Sequence, residues 1–254
     1  MDQLRLTISD RIATLTIDRP ERRNALSYEM WSVLPELMAQ VRAAPEVRVL
    51  VVRGMEHFSA GADISEFATL RRGPSGARRY GDAVHAGERA IATLPLPTIA
   101  AVTGFCIGGG CEVALACDLR LAADNARFGI TPAKLGIVYN FTSTRQLVQA
   151  VGPAWAKQIL FSGDLFDAAT ALRIGLVNEI HPLDTLDERV FGLAARIASR
   201  ARVSVHGAKQ IINRINTGQS SADDEVRELY DAAVLSAEYT EGVEAFLAKR
   251  DPKF

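Results

Sequence analysis

Thr103-Gly104-Phe105-Cys106-Ile107-Gly108-Gly109-Gly110-Cys111-Glu112 follows the apolar, β-branched run Thr98-Ile99-Ala100-Ala101-Val102 and leads into Val113-Ala114-Leu115-Ala116-Cys117. The pattern predicts a strand that ends in glycines and a helix that starts among them, with a carboxylate in its first turn. Backbone N–H groups at such a start have no intrahelical acceptor, and the helix dipole adds partial positive charge there. That is a place to hold an oxyanion, and Glu112 sits one turn away, placed to move protons.

Upstream, Leu4-Leu6-Ile8 and Ile12-Thr14-Thr16 alternate with period two across Ser9-Asp10-Arg11, a β-hairpin pattern. Ser27 caps a helix with apolar Met30, Val33, Leu34, Leu37 and Val41, which Pro35 should bend or locally break. Val47 to Val52 reads as a buried strand. Phe58-Ser59-Ala60-Gly61-Ala62-Asp63 closes that unit, and Asp63 with Glu66 has capping-box spacing. Leu70 to Asp82, rich in Arg and Gly, reads as a mobile loop, followed by a helix from Ala83 to Thr93. Downstream come strands at Leu119 to Ala123 and Val177 to Ile180, and helical patterns dominate from about Val151. Strands alternate with helices, so the class is α/β.

The 254 residues carry 48% apolar and 23% charged side chains and a net charge of −1, the balance of a globular protein. No basic stripe marks a nucleic-acid partner. Pro97 to Cys117 is the most membrane-like stretch, but three consecutive glycines and Glu112 disqualify it as a spanning helix. Met1-Asp2-Gln3-Leu4-Arg5 runs straight into a strand pattern without a signal peptide. Cys106, Cys111 and Cys117 lack C-x-x-C spacing and read as buried free thiols, which places the chain in the cytoplasm and leaves no metal site in view.

A strand followed by Thr-Gly-x-x-x-Gly-x-Gly also occurs in short-chain dehydrogenases. There it follows the first strand, and a Tyr-x-x-x-Lys pair lies downstream. Here the string begins at position 103 and no tyrosine has Lys four residues later. Taken together, Phe58 to Ile64 and Gly108 to Glu112 give two strand-to-helix glycine turns about fifty residues apart. With Arg19-Pro20, Asn24-Ala25-Leu26 and Glu244-Ala245-Phe246-Leu247-Ala248-Lys249-Arg250, they make the sequence resemble the enoyl-CoA hydratase/isomerase (crotonase) family along nearly its whole length.

That resemblance implies a crotonase-like spiral of ββα units over residues 1–195. A helical C-terminal region, residues 196–254, would mediate assembly as a homotrimer or dimer of trimers. It implies an acyl-CoA thioester as substrate, with CoA arriving as part of it and no separate cofactor. An enolate oxygen would be held by the amides of Ala62 and Gly109. Ala25, Leu26, Ala60, Asp63, Ile64, Gly108 and Pro132 would line the path of the substrate, and Phe246 and Lys249 would reach the nucleotide, often from a neighbouring subunit.

A hydratase of this family uses two glutamates. Glu112 matches the first, but in Phe128-Gly129-Ile130-Thr131-Pro132-Ala133-Lys134-Leu135-Gly136 the second is replaced by Pro132. The run from Thr131 to Tyr139-Asn140 resembles the methylmalonyl-CoA decarboxylase branch instead, in which Tyr139 would hold the departing carboxylate or act in protonation. Tyr139 reads equally as a half-buried aromatic on the pocket wall. The decarboxylase pattern has His where Ala62 stands. Hydration or isomerisation through Glu112 alone, and acyl-CoA binding without chemistry, are the alternatives. The arginines at 71, 72, 78 and 79 read first as a solvated surface, with anion contact as the second reading.

Overall fold

The computed structural model describes residues 3–254. Strands β1 (Leu4–Ser9) and β2 (Ile12–Ile17) pair antiparallel with Leu4 opposite Ile17, and Asp10 and Arg11 turn between them at φ of 51° and 66°. Positive φ at both central residues matches the right-handed twist of the flanking strands. Next come α1 (Tyr28–Ala43), β3 (Val49–Gly54), α2 (Phe67–Leu70), α3 (Gly73–Ala92), β4 (Thr98–Val102), β5 (Phe105–Ile107), α4 (Gly109–Ala116), β6 (Leu119–Ala123) and β7 (Arg127–Gly129). The chain continues through α5 (Phe141–Ser162), β8 (Phe166–Asp167), α6 (Ala168–Arg173), β9 (Glu179–His181), α7 (Leu186–Ala198), α8 (Arg202–Asn216), α9 (Asp224–Val234) and α10 (Ala237–Leu247).

The main sheet runs β1-β2-β3-β4-β6-β9, parallel from β2 onward, and a small sheet runs β5-β7-β8. Two successive spiral turns each lay one strand in the large sheet and one in the small sheet, then add a helix: β4–β5–α4, then β6–β7–α5. Strand alternation divides the core between two faces. Val49 and Val51 meet Val190 and Ala194 of α7, whereas Leu50 and Val52 face Trp31, Leu34, Phe58 and Phe128. The fold is the mixed α/β spiral with a helical C-terminal region that the sequence predicts.

Three local expectations need correction. Leu70 to Asp82 is not a loop: Pro74 starts α3 in its first turn, and Gly76, Tyr80, Val84, Gly87, Glu88 and Ile91 form its buried stripe. Pro35 does not break α1, which runs from Tyr28 to Ala43 with Pro35 inside. Glu66 closes no capping box with Asp63; its carboxylate accepts from the Tyr28 N–H (2.8 Å) and so caps α1 instead.

Candidate active site

The turn from Phe58 to Asp63 is pinned to the loop before α1. Leu26 N–H donates to Gly61 O (2.7 Å), and Asp63 N–H donates to Leu26 O (2.9 Å). The Ala62 N–H lies between these two bonds and has no acceptor among the described residues. Asn24 braces the turn by donating from Nδ2 to His57 O (2.5 Å).

The second turn is built the same way. Gly108 N–H donates to Gly129 O (2.8 Å), and Glu112 N–H donates to Gly108 O (3.1 Å). The Gly109 N–H, at the first position of α4, has no acceptor among the described residues. The turns touch: a Cβ on Gly109 would stand 3.2 Å from Ala62 N, and one on Gly61 would stand 3.3 Å from Gly109 N and 2.7 Å from Ile107 O. Gly61 also holds φ of 100°, so glycine is required there for both space and conformation.

Both amides border a cavity of about 170 Å³ whose walls include Ala60, Ala62, Ile64, Gly108, Gly109, Glu112, Pro132 and Tyr139. Sequence reasoning named all eight. Ala25, Leu26 and Asp63 are not on its wall. Leu26 is buried beneath the turn, and Asp63 pairs with Arg19 (2.8 Å) and caps the turn at Ser65 (3.1 Å). The bonds from Ser65, then Arg19, hold the Asp63 carboxyl below its ordinary pKa against the opposing effect of burial. Phe246 and Lys249 also lie off this wall; Phe246 is exposed on α10, and Lys249 follows that helix.

Glu112 is buried and is the one carboxyl group among the described cavity-lining residues. Burial pushes its pKa up to about 7, opposed by the Ser143 hydroxyl, the adjacent Tyr139 hydroxyl and Arg71. Asn140 Nδ2 donates to its Oε1 (3.2 Å), and Ser143 Oγ lies 3.3 Å from the same oxygen. Tyr139 stands on the cavity wall with a buried Oη beside Glu112 but outside hydrogen-bonding geometry. Burial first, and the Glu112 charge second, hold its pKa well above the ordinary value.

Three participants, Tyr80, Ser143 and Glu88, escaped the sequence reading, and Arg71, read first as solvated surface, joins them at the site. Arg71 reaches the cavity, its guanidinium 4.4 Å from the Phe67 ring centroid and 5.5 Å from that of Tyr80. Tyr80 lines the cavity too. Ser143 and the fully buried Glu88 stand behind Glu112, with Ser143 Oγ donating to Glu88 Oε1 (2.5 Å). A carboxylate on the apolar stripe of α3, between Val84 and Ile91, was the available signal for Glu88.

Two free turn amides beside a buried acid, on a ββα spiral, define the crotonase class of fold and site. The description Enoyl-CoA hydratase/isomerase fits residues 7–254. The crotonyl-CoA hydratase of Syntrophomonas wolfei is 36% identical over 248 residues, covering 96% of this chain and 95% of that protein. The 2,3-dehydroadipyl-CoA hydratase of Escherichia coli is 32% identical, covering 100% and 99%. An enoyl-CoA hydratase/carnithine racemase from Magnetospirillum magneticum superposes with a TM-score of 0.96 at 35% identity, covering 100% and 96%. The chain belongs to the enoyl-CoA hydratase/isomerase family, whose members handle acyl-CoA thioesters. Among the described residues, no helix is long and apolar enough to cross a membrane.

Proposed function

We propose that this enzyme decarboxylates a 2-carboxyacyl-CoA thioester of the methylmalonyl-CoA type. The observation that carries the reading is the single carboxyl group in the cavity: Glu112 stands beside the Ala62 and Gly109 amides, and Pro132 occupies the wall where a hydratase would place its second glutamate. The thioester oxygen accepts from the two amides. The bond from the α-carbon to the carboxylate breaks, CO₂ leaves, and the electron pair passes into the thioester as an enolate. The protonated Glu112 then gives its proton to the α-carbon and regains one from solvent.

A carboxyl group with a pKa near 7 suits this step, because its acid form is populated at neutrality and does not repel an anionic substrate. Arg71 offers the cavity a cation for the substrate carboxylate, and the Tyr139 hydroxyl offers a donor that has no other partner among the described residues. CoA comes with the substrate, and no resident cofactor enters the scheme. The exposed apolar side chains of α9 and α10 support assembly as a homotrimer or dimer of trimers, in which Phe246 and Lys249 contact the nucleotide of a neighbouring subunit. The free, buried cysteines fit a cytoplasmic setting.

Incubation with methylmalonyl-CoA should release CO₂ and leave propionyl-CoA, and absence of turnover above buffer would falsify the proposal. The hydratase names of the relatives favour one second reading, addition of water to an enoyl-CoA with Glu112 as the sole acid/base. Rapid loss of the enoyl absorbance of crotonyl-CoA would establish it.

A further inference from the structure

Glu88 takes no part in the scheme above, yet it is the most deeply enclosed carboxyl group near the site. Its residue is 0% exposed, and its Oε2 has no hydrogen-bond partner among the described residues. No Lys or Arg pairs with it among the described residues. The groups that face it are few. Glu112 comes from α4 and the Ser143 hydroxyl from α5, both helices packing beside one another. Trp31 and Leu34 of α1 cover the neighbouring Gly87 with apolar surface. Arg71 and Tyr139 act on Glu112 from the cavity side.

Ser143 has one hydroxyl proton and stands between two carboxyl groups, 2.5 Å from Glu88 Oε1 and 3.3 Å from Glu112 Oε1. Asn140 Nδ2 also donates to Ser143 Oγ (2.7 Å). Counting donors leaves two arrangements in which every contact is used, according to which carboxyl supplies the proton to Ser143. In one, the acid form of Glu112 donates to Ser143 Oγ and Ser143 Oγ–H donates to Glu88; in the other, the acid form of Glu88 donates to Ser143 Oγ and Ser143 Oγ–H donates to Glu112; in both, Asn140 Nδ2 donates to Ser143 and to Glu112. With both carboxyls ionised, one hydroxyl proton must serve two buried anions, and no Lys or Arg pairs with Glu88 among the described residues, a costly state.

Resting on the reading of Glu112 as the cavity acid, we propose that Glu88 is its positioning residue. Glu88, Ser143 and Glu112 share protons as one unit, in which Glu88 keeps a proton out of reach of solvent and passes it through Ser143 when Glu112 has given up its own. In that relay the Ser143 hydroxyl proton moves to Glu112 Oε1 and the Glu88 proton moves to Ser143 Oγ. The unit then regains a proton from solvent through the cavity face of Glu112. No bond to carbon is involved and no co-reactant is needed.

Infrared titration of the free enzyme tests this without any substrate, so its outcome is independent of which acyl-CoA is turned over. Between about pH 5 and about pH 10 the wild type should lose two buried carboxylic-acid bands in two separate steps. Glu88→Gln should leave one band and one step. Glu112→Gln should leave the other band and move its loss to lower pH by about one unit or more, because the like charge is gone. Ser143→Ala, which keeps both carboxyls, should shift both steps. A purely structural Glu88 would leave Glu112 titrating alone. One acid band in the wild type, or a Glu88 titration indifferent to Glu112→Gln, overturns the proposal. If the infrared pattern holds while methylmalonyl-CoA is inert, the proton unit stands and only the decarboxylase reading fails.

Discussion

At the scale of the residue, the decisive feature is the burial of Glu112, which raises its pKa above the ordinary carboxylate range. A rate that depends on its acid form should decline as pH rises through about 7 in a kcat–pH profile. Glu112→Gln should lower kcat by roughly 10²- to 10⁴-fold with little change in fold, the usual worth of a positioned acid. The same burial links protons to stability. Burial holds the carboxyls of Glu88 and Glu112 well above the ordinary 4.5 in the native protein, up to about 8 and about 7, so the native state binds more protons than the unfolded chain. Their contribution is therefore fully present below about pH 4.5 and is lost as pH climbs through 7 and 8. Thermal melts should show Tm falling across that upper window, and Glu88→Gln should flatten the fall. Arg71 belongs to this scale as well. Arg71→Ala should raise KM for a carboxylated acyl thioester several-fold while leaving that for crotonyl-CoA nearly unchanged; equal effects on both would tie Arg71 to the CoA moiety instead.

At the scale of the element, the site is two turns held edge to edge. Gly61→Ala forces a Cβ toward Ile107 O and Gly109 N at a φ that alanine disfavours. It should cost about 1–3 kcal/mol in denaturant unfolding and should abolish turnover by spreading the two amides. The turns were legible in the sequence because both lie between an apolar strand and a helical run, and glycines there have few other uses. The cavity wall at Thr131–Pro132 and Tyr139 was legible for a related reason, since its residues follow the strand Phe128-Gly129 without a gap. The first half of α3 was not, because Arg and Gly at 71–81 carry a weak helical pattern and the buried stripe becomes visible only with Trp31 and Leu34 against it. Glu88, Ser143 and Glu112 lie on three different helices, so no local spacing joins them. Glu66 shows the same limit: its spacing from Asp63 pointed to its own helix, whereas its partner lies 38 residues away.

At the scale of the whole molecule, the C-terminal helices pose a different problem from the core. Leu235, Phe246 and Leu247 are 86%, 83% and 76% exposed, large apolar side chains that a covering surface would take out of water. Exposed Val234 and Tyr239 join them, while the Glu241–Arg250 ion pair (2.6 Å) and the Arg250 N–H to Ala245 O bond (3.0 Å) hold the end of α10 in place. A rigid apolar face of this kind fits a second copy of the chain better than a mobile tail. Sedimentation should therefore give a trimer or a hexamer at micromolar concentration. Phe246→Asp places a charge in the middle of that face and should shift the protein toward monomer, since an unpaired carboxylate resists burial in an interface. The same substitution separates two roles for α10. If Phe246 serves assembly alone, KM for acyl-CoA in residual trimer stays as in the wild type; if it also contacts the nucleotide of the neighbouring subunit, KM rises while the amides and Glu112 remain intact. An unaltered sedimentation coefficient with unaltered KM would leave α10 outside both assembly and substrate binding, and would confine the function of this chain to the cavity between its two glycine turns.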